Sequence, residues 1–104
     1  MDYYIFYGEL SDEGKSAWNG NEVSPFNMLV VNNHIECRGG WTDFLSWTRR
    51  NLHDEVRVDW GSMAWKCTGE DLRDLKEHTT KCEIESYDEI EPEKEYGIVF
   101  IEMS

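Results

Sequence analysis

The pattern of apolar and polar residues first predicts a strand and a hairpin in the N-terminal third of the chain. Residues 3–7 form a short run rich in aromatic side chains, which favours a β-strand. Residues 27–37 contain two strand-like runs joined by Asn32 and Asn33, and asparagine tolerates the positive φ of a two-residue type I′ turn. With that turn, one face of the hairpin is wholly apolar and consists of Met28, Val30, Ile35 and Cys37.

Residues 55–68 predict a second hairpin. Gly61 and Ser62 suit a two-residue type II′ turn, which favours glycine at its first position. This turn places the apolar side chains of both strands on one face and the charged and polar ones on the other. The opposed apolar pairs are then Val56 with Cys67, Val58 with Trp65 and Trp60 with Met63.

Two further segments have the spacing of amphipathic helices. Apolar side chains recur every three or four positions over residues 41–53. Residues 69–80 follow Thr68, a favourable N-cap, and carry two inward-facing leucines. Residues 96–102 are nearly all apolar, which is typical of a strand buried on both faces and therefore central in its sheet. The sequence thus predicts an α+β fold, in which two helices pack on a mostly antiparallel sheet of five to six strands.

The five tryptophans divide between the interior and the surface according to these patterns. Trp41, Trp60 and Trp65 fall on predicted apolar faces, and we assign them to the core. Trp47 lies at the flank of its helix's apolar stripe, so we expect it to be partly exposed and available to a partner. Residues 11–24 have the composition of a loop, and Trp18 is a candidate anchor for it.

Composition and charge narrow the class of protein. The chain has 22 acidic and 10 basic residues, a net charge of −12, and 13% aromatic residues, which argues against disorder. This charge disfavours direct binding to nucleic acid or to an anionic membrane. No apolar run reaches the roughly 20 residues of a membrane span, and the first residues lack the basic start of a signal peptide. We therefore expect residues 1–104 to form a single acidic domain in the cytoplasm.

No motif marks a catalytic site. The chain lacks the nucleophile-elbow, phosphate-loop, zinc-protease and C-x-x-C patterns, so we assign no catalytic residue and no cofactor. The sharpest chemical alternative is a metal site, with candidate ligands His34, Cys37, Cys67, His78 and Cys82. His34 and Cys37 would point to opposite faces of a strand, and both Cys37 and Cys67 fall on predicted core faces. We accordingly assign no metal ligand and expect reduced thiols.

The densest charge lies near the C-terminus. Residues 83–95 contain seven acidic residues and one base, interrupted by Ile84, Tyr87 and Ile90. The segment is either a solvated acidic loop or a docking surface whose carboxylates resemble a run of phosphates and whose apolar residues add contact area. In the second interpretation the partner-binding residues are Glu83, Glu85, Tyr87, Asp88, Glu89, Glu91, Glu93 and Trp47.

The leading hypothesis from the sequence is a non-enzymatic acidic binding protein. It would act as an inhibitor, an immunity protein or a nucleic-acid mimic, as some phage-encoded and mobile-element proteins do. Its partner would be a basic protein, such as a nuclease or another nucleic-acid-binding protein. Two alternatives stay open: a small enzyme or ligand-binding domain with an aromatic-lined pocket, and a structural domain whose sheet pairs with a second copy.

Overall fold

The protein is an α+β fold built on one antiparallel sheet, as the sequence predicts. The structure, a computed structural model, describes residues 2–31, 33–37, 41–78, 82–84 and 90–103. Six strands follow the order β3-β4-β6-β1-β2-β5. They are β1 (Asp2–Gly8), β2 (Asn33–Cys37), β3 (Glu55–Arg57), β4 (Met63–Thr68), β5 (Cys82–Ile84) and β6 (Glu95–Met103). The α-helices are α1 (Asp12–Ser16), α2 (Trp41–Asn51) and α3 (Gly69–His78).

Strand β6 is the centre of the sheet and is buried on both faces. It pairs antiparallel with β1 from Gly97 to Met103 and with β4 from Glu95 to Phe100. Ile98 and Val99, which point to opposite faces, are both 0% exposed. The prediction of a central C-terminal strand is therefore confirmed.

Two separate cores cover the two faces of the sheet. The helix-side core joins α2 and α3 to one face, and the loop-side core joins residues 9–31 to the other. Successive side chains of β6 point to opposite faces of the sheet, so this strand contributes to both cores. Tyr96, Ile98 and Phe100 enter the helix-side core, and Val99 and Ile101 enter the loop-side core. A sheet covered on both faces can bury apolar residues on either side of each strand.

The two long helices occupy the predicted segments, but each ends two residues before the predicted end. Helix α2 ends at Asn51, where the pattern predicts residues 41–53, and α3 ends at His78, where it predicts residues 69–80. Thr68 is the N-cap of α3, because its Oγ1 accepts a hydrogen bond from the backbone N–H of Asp71 at 3.2 Å. The Asp71 carboxylate accepts the Thr68 N–H in return at 2.9 Å, which forms a reciprocal cap.

The hairpin predicted at residues 55–68 exists, but its register is wrong. Strands β3 and β4 pair with Val56 opposite Ala64, where the pattern predicts Val56 opposite Cys67. This odd shift moves Val56 into the loop-side core, while Trp65 stays in the helix-side core. Both faces of the sheet are buried, so apolar side chains belong on either face of the hairpin. A register that collects all of them on one face is therefore not favoured over the observed one.

The hairpin predicted at residues 27–37 is wrong. Strand β2 instead pairs with β1 and β5, and residues 25–27 form a turn of 3-10 helix. The backbone of residues 28–30 is held by the segment before α1: the Met28 carbonyl accepts from Ser11 N–H, and Val30 N–H donates to the Glu9 carbonyl. Met28 and Leu29 are buried in the loop-side core, so their apolar character reflects packing beneath the sheet.

Residues 11–24 are more ordered than their composition predicts. Ser11 caps the short helix α1 through a hydrogen bond from Gly14 N–H to its Oγ at 2.8 Å. Trp18 anchors the segment, as expected. Its ring packs on the loop-side core, and its indole Nε1–H donates to the Asp54 carbonyl at 3.1 Å.

The segment just before β6 is fixed to the start of α3. The N–H groups of Gly69 and Glu70 donate to the carbonyls of Lys94 and Pro92 at 3.0 and 3.1 Å. The Arg73 guanidinium donates to the Ile90 carbonyl at 2.9 Å. Residues 90–95 thereby satisfy free donors of the helix N-terminus, and their backbone takes one defined path.

Replacing Gly69 by alanine tests this junction. A Cβ at Gly69 would overlap the backbone carbonyl of Glu91, which cannot rotate away as a flexible side chain would. We expect Gly69→Ala to lower the free energy of unfolding by about 1–3 kcal/mol, measured by urea denaturation. Ser46→Ala, at an exposed position of α2, is the control and should change it by less than about 0.5 kcal/mol. Equal stability of the two variants would contradict the close packing.

Candidate functional site

The structure describes only part of the predicted docking segment. Glu91 and Glu93 are exposed, as a docking role requires. The backbone of Glu83 lies in β5, opposite Glu36 of β2. Ile90, predicted to add contact area, is instead 3% exposed and packs in the helix-side core. The remaining predicted residues, Glu85, Tyr87, Asp88 and Glu89, lie outside the described residues.

Trp47 is not a surface residue, so its predicted role in partner binding is wrong. Its side chain is 0% exposed and packs between the helices and the sheet in the helix-side core. Its indole Nε1–H donates to the Asp74 carboxylate of α3 at 3.2 Å. The apolar stripe of α2 is wide enough to include Trp47, because both the sheet and α3 cover this helix.

Two acidic segments are joined where the backbone at the start of α3 hydrogen-bonds to residues 92 and 94, and Asp71 and Glu95 line one cavity there. We call this surface the acidic end; it comprises Glu70, Asp71, Asp74, Glu91, Glu93 and Glu95. The four glutamates are exposed and the two aspartates are half-buried. Glu70 and Asp71 also favour the helix, because negative charge in its first turn interacts well with the helix dipole. The glutamates of residues 91–95 have no such role within α3.

The base within residues 90–95 is already paired. The Lys94 ammonium lies 2.5 Å from a Glu9 carboxylate oxygen and 3.8 Å from one of Glu91. Its hydrogen bond to Glu9, and then the neighbouring negative charges, raise the pKa of Lys94 above its ordinary value. Lys94 therefore stays charged at neutral pH, but its charge is offset by Glu9 and leaves the acidic end negative.

A cavity of about 250 Å³ opens beside the acidic end, between the end of α2 and strand β4. Its walls include His53, Asp54, Asp71 and Glu95, together with the buried thiol of Cys67. Burial raises the pKa of Cys67 strongly, and the charges of Asp71 and Glu95 raise it further. The thiol therefore remains protonated and is a poor nucleophile at neutral pH.

A second cavity, of about 170 Å³, lies where β1 and β6 meet Val30, Val31 and Asn33. Tyr7 and Tyr96 form its aromatic wall, and Lys94 lies at the same cavity. The Tyr96 hydroxyl accepts a hydrogen bond from Glu91 N–H at 3.0 Å. This cavity is the described site that best matches the aromatic-lined pocket of the alternative hypothesis.

Trp60, predicted to lie in the core, is 70% exposed. It occupies the turn between β3 and β4, where Trp60 and Gly61 both have positive φ, 67° and 69°. The Phe26 ring, itself 44% exposed, meets Trp60 edge-on with the centroids 5.3 Å apart. We call these two rings the aromatic pair. The sequence Asp59-Trp60-Gly61 could have revealed this turn, since a glycine with a polar residue two places before it favours a tight turn.

The candidate metal ligands are not brought together in the part of the chain that the structure describes. That part contains no group of three or more histidine, cysteine or acidic side chains able to hold an ion. His34 packs against the rings of Tyr4 and Phe6, with centroids 6.4 and 5.8 Å away. The side chains of Cys37, His78 and Cys82 lie outside the described residues.

Comparison of the chain with protein-family models, with curated proteins and with solved structures gave no match. Among the described helices, none combines the length and the apolar character needed to cross a membrane. Function must therefore be argued from the surfaces of this chain alone.

The backbone strain at Trp60 can be tested by two substitutions. Asparagine tolerates positive φ, whereas a β-branched residue does not. We expect Trp60→Val to be less stable than Trp60→Asn by about 1 kcal/mol in urea denaturation. Both substitutions remove the same exposed ring, so their difference isolates the backbone conformation. Equal stability of the two variants would show that the turn does not impose positive φ at this position.

From the raised pKa of Cys67 we expect the protein to lose stability at alkaline pH. Its pKa in the folded protein lies above the ordinary value of 9.0, so the unfolded chain loses this proton first as the pH rises. The stabilising effect is complete below about pH 9 and declines as the pH rises towards the folded pKa. We expect Cys67→Ala to reduce the fall in unfolding free energy between neutral pH and about pH 10. An identical fall in both proteins would contradict the burial of this thiol.

Proposed function

We propose that the protein is an acidic binding protein that docks on a basic protein and competes there with nucleic acid. A nuclease or another nucleic-acid-binding protein is the expected class of partner, and inhibition by occupation of its groove is the expected action. The observation that carries this proposal is the acidic end, where backbone hydrogen bonds join two acidic segments and four of the six acidic side chains, Glu70, Glu91, Glu93 and Glu95, are exposed.

The framework of the acidic end supports the proposal. Its two segments are tied by backbone hydrogen bonds from Glu70 and Gly69 to residues 92 and 94, so the backbone that carries the carboxylates needs no ordering on binding. Preorganisation of this kind lowers the entropic cost of association. Matching a negative surface to a positive one also speeds encounter and selects against acidic partners.

A ligand-binding role remains the second candidate, and the 250 Å³ cavity favours it. The wall of this cavity combines His53, Asp71 and Glu95 with Lys66, a mixed polar lining suited to a small polar ligand rather than to a metal ion. Because the cavity lies beside the acidic end, a basic side chain of a docked partner can also occupy it. Ligand screening follows if no protein partner is found.

Neutralising the acidic end tests the proposed function. The test variant carries Glu70→Gln, Glu91→Gln, Glu93→Gln and Glu95→Gln. The matched control carries Asp12→Asn, Glu13→Gln, Glu22→Gln and Glu55→Gln, at exposed positions outside the acidic end. We expect the wild type and the control to capture a basic protein from a lysate of the source cells at low salt and to release it at high salt.

The affinity of the captured protein for the test variant should fall roughly tenfold or more, since several charge pairs are lost together. Added nucleic acid should displace the partner from the wild type. Equal losses in the test and control variants would mean that only net charge matters, and would reject the acidic end as the site. Failure to capture a basic protein at either salt would overturn the proposed function.

A further inference from the structure

Trp60 has two features that destabilise a surface turn, an exposed apolar ring and a strained backbone conformation. A large apolar ring is 70% exposed to solvent, and its backbone has a φ of 67°, in the left-handed region. For a residue other than glycine this conformation costs roughly 1–2 kcal/mol. Strained and exposed aromatic residues occur at binding sites, where tryptophan is enriched among the residues that dominate affinity.

The aromatic pair lies away from the acidic end. Strand β4 runs from Met63, just after the Trp60 turn, to Thr68, which caps α3 beside the acidic end. Its six residues separate the two surfaces by roughly 17 Å. A partner with a standard interface is wide enough to reach both surfaces, so they can belong to a single binding event.

The surroundings of the aromatic pair favour a cation. Asp59 directly precedes Trp60 and carries a carboxylate on the turn itself, and its N–H donates to the Val23 carbonyl at 3.0 Å. Arg57 ends β3 before the turn and offsets this charge locally, so attraction of a cation also relies on the net charge of −12 of the whole chain. A second copy of the chain is a poor occupant, because each copy carries a net charge of −12.

We propose that the aromatic pair binds an arginine side chain of the basic partner, with the guanidinium stacked on the Trp60 ring. Arginine fits this site better than lysine, because its planar guanidinium stacks on an aromatic face and also pairs with a carboxylate such as Asp59. Phe26 restricts the tilt of the Trp60 ring by its edge-on contact. This inference rests on the proposed function, since it names the group that a basic partner would insert.

Two synthetic peptides of equal length, an oligoarginine and an oligolysine, test the inference. Both carry the same charge, but guanidinium groups also pair with carboxylates in a bidentate way that ammonium groups cannot. The contribution of stacking is therefore the part of the arginine preference that is lost when Trp60 is replaced. We expect the wild type to prefer the oligoarginine by about two- to fivefold, the range of an exposed cation–π contact. The indole N–H resonance of Trp60, identified by its loss in Trp60→Ala, should shift on addition of the oligoarginine.

Two variants give the matched comparison. Trp60→Ala should reduce the preference for oligoarginine by about two- to fivefold relative to the wild type, whereas Val31→Ala, which shortens another exposed apolar side chain, should leave it unchanged. Equal affinities of the wild type for both peptides would overturn the inference. So would a preference that is undiminished in Trp60→Ala, or a dimer in the wild type that Trp60→Ala abolishes, since the occupant would then be a second copy.

The peptide test and the test of the acidic end have independent outcomes, so each proposal can be rejected without the other. If partner capture depends on the acidic end but Trp60→Ala leaves the peptide ratio unchanged, the proposed function stands and this inference is wrong. If the peptide ratio depends on Trp60 but no basic protein is captured, the aromatic pair binds arginine and the proposed function is wrong.

Discussion

The burial of β6 on both faces is the constraint on which the rest of the structure depends. This strand hydrogen-bonds to β4 and β1 along its two edges and sends alternate side chains into two cores. Each face then needs a cover, and the chain supplies α2 and α3 on one side and residues 9–31 on the other. Close approach on the second side requires Gly8 of β1, where a Cβ would overlap the backbone carbonyl oxygen of Val31.

The position of the acidic end follows from this arrangement. Because β4 and β6 are antiparallel neighbours, the start of α3 after Thr68 meets the segment that leads into β6 at Glu95. Backbone hydrogen bonds then join the two segments, and Asp71 of one lines the same cavity as Glu95 of the other. The helix gains satisfied N-terminal donors from this contact, so the acidic surface is built on an interaction that also stabilises the fold.

Trp47 and Trp60 illustrate how tertiary contacts override a pattern within one element. Helical spacing places Trp47 at the edge of a stripe, yet packing of α3 beside α2 buries it and supplies Asp74 as its hydrogen-bond partner. Strand alternation places Trp60 on an apolar face, yet β3 ends at Arg57, three residues earlier than the predicted pairing, and leaves the ring in solvent. The burial of Trp47 depends on a helix that is distant in the sequence. The exposure of Trp60 depends on the β3–β4 register, which apolar character cannot decide because both faces of the sheet are apolar.

The sequence alone predicts the fold class, the helices beginning at residues 41 and 69, the Thr68 cap and the central position of residues 96–102. These features depend on local periodicity, capping chemistry and a continuous apolar run, all readable within about ten residues. Only the tertiary structure decided the β3–β4 register, the packing of Met28 and Leu29 beneath the sheet, and the meeting of residues 70–74 with residues 91–95. The physical reason is that both faces of this sheet are covered, so apolar character alone does not say which core a side chain enters, and surfaces form where distant segments pack together.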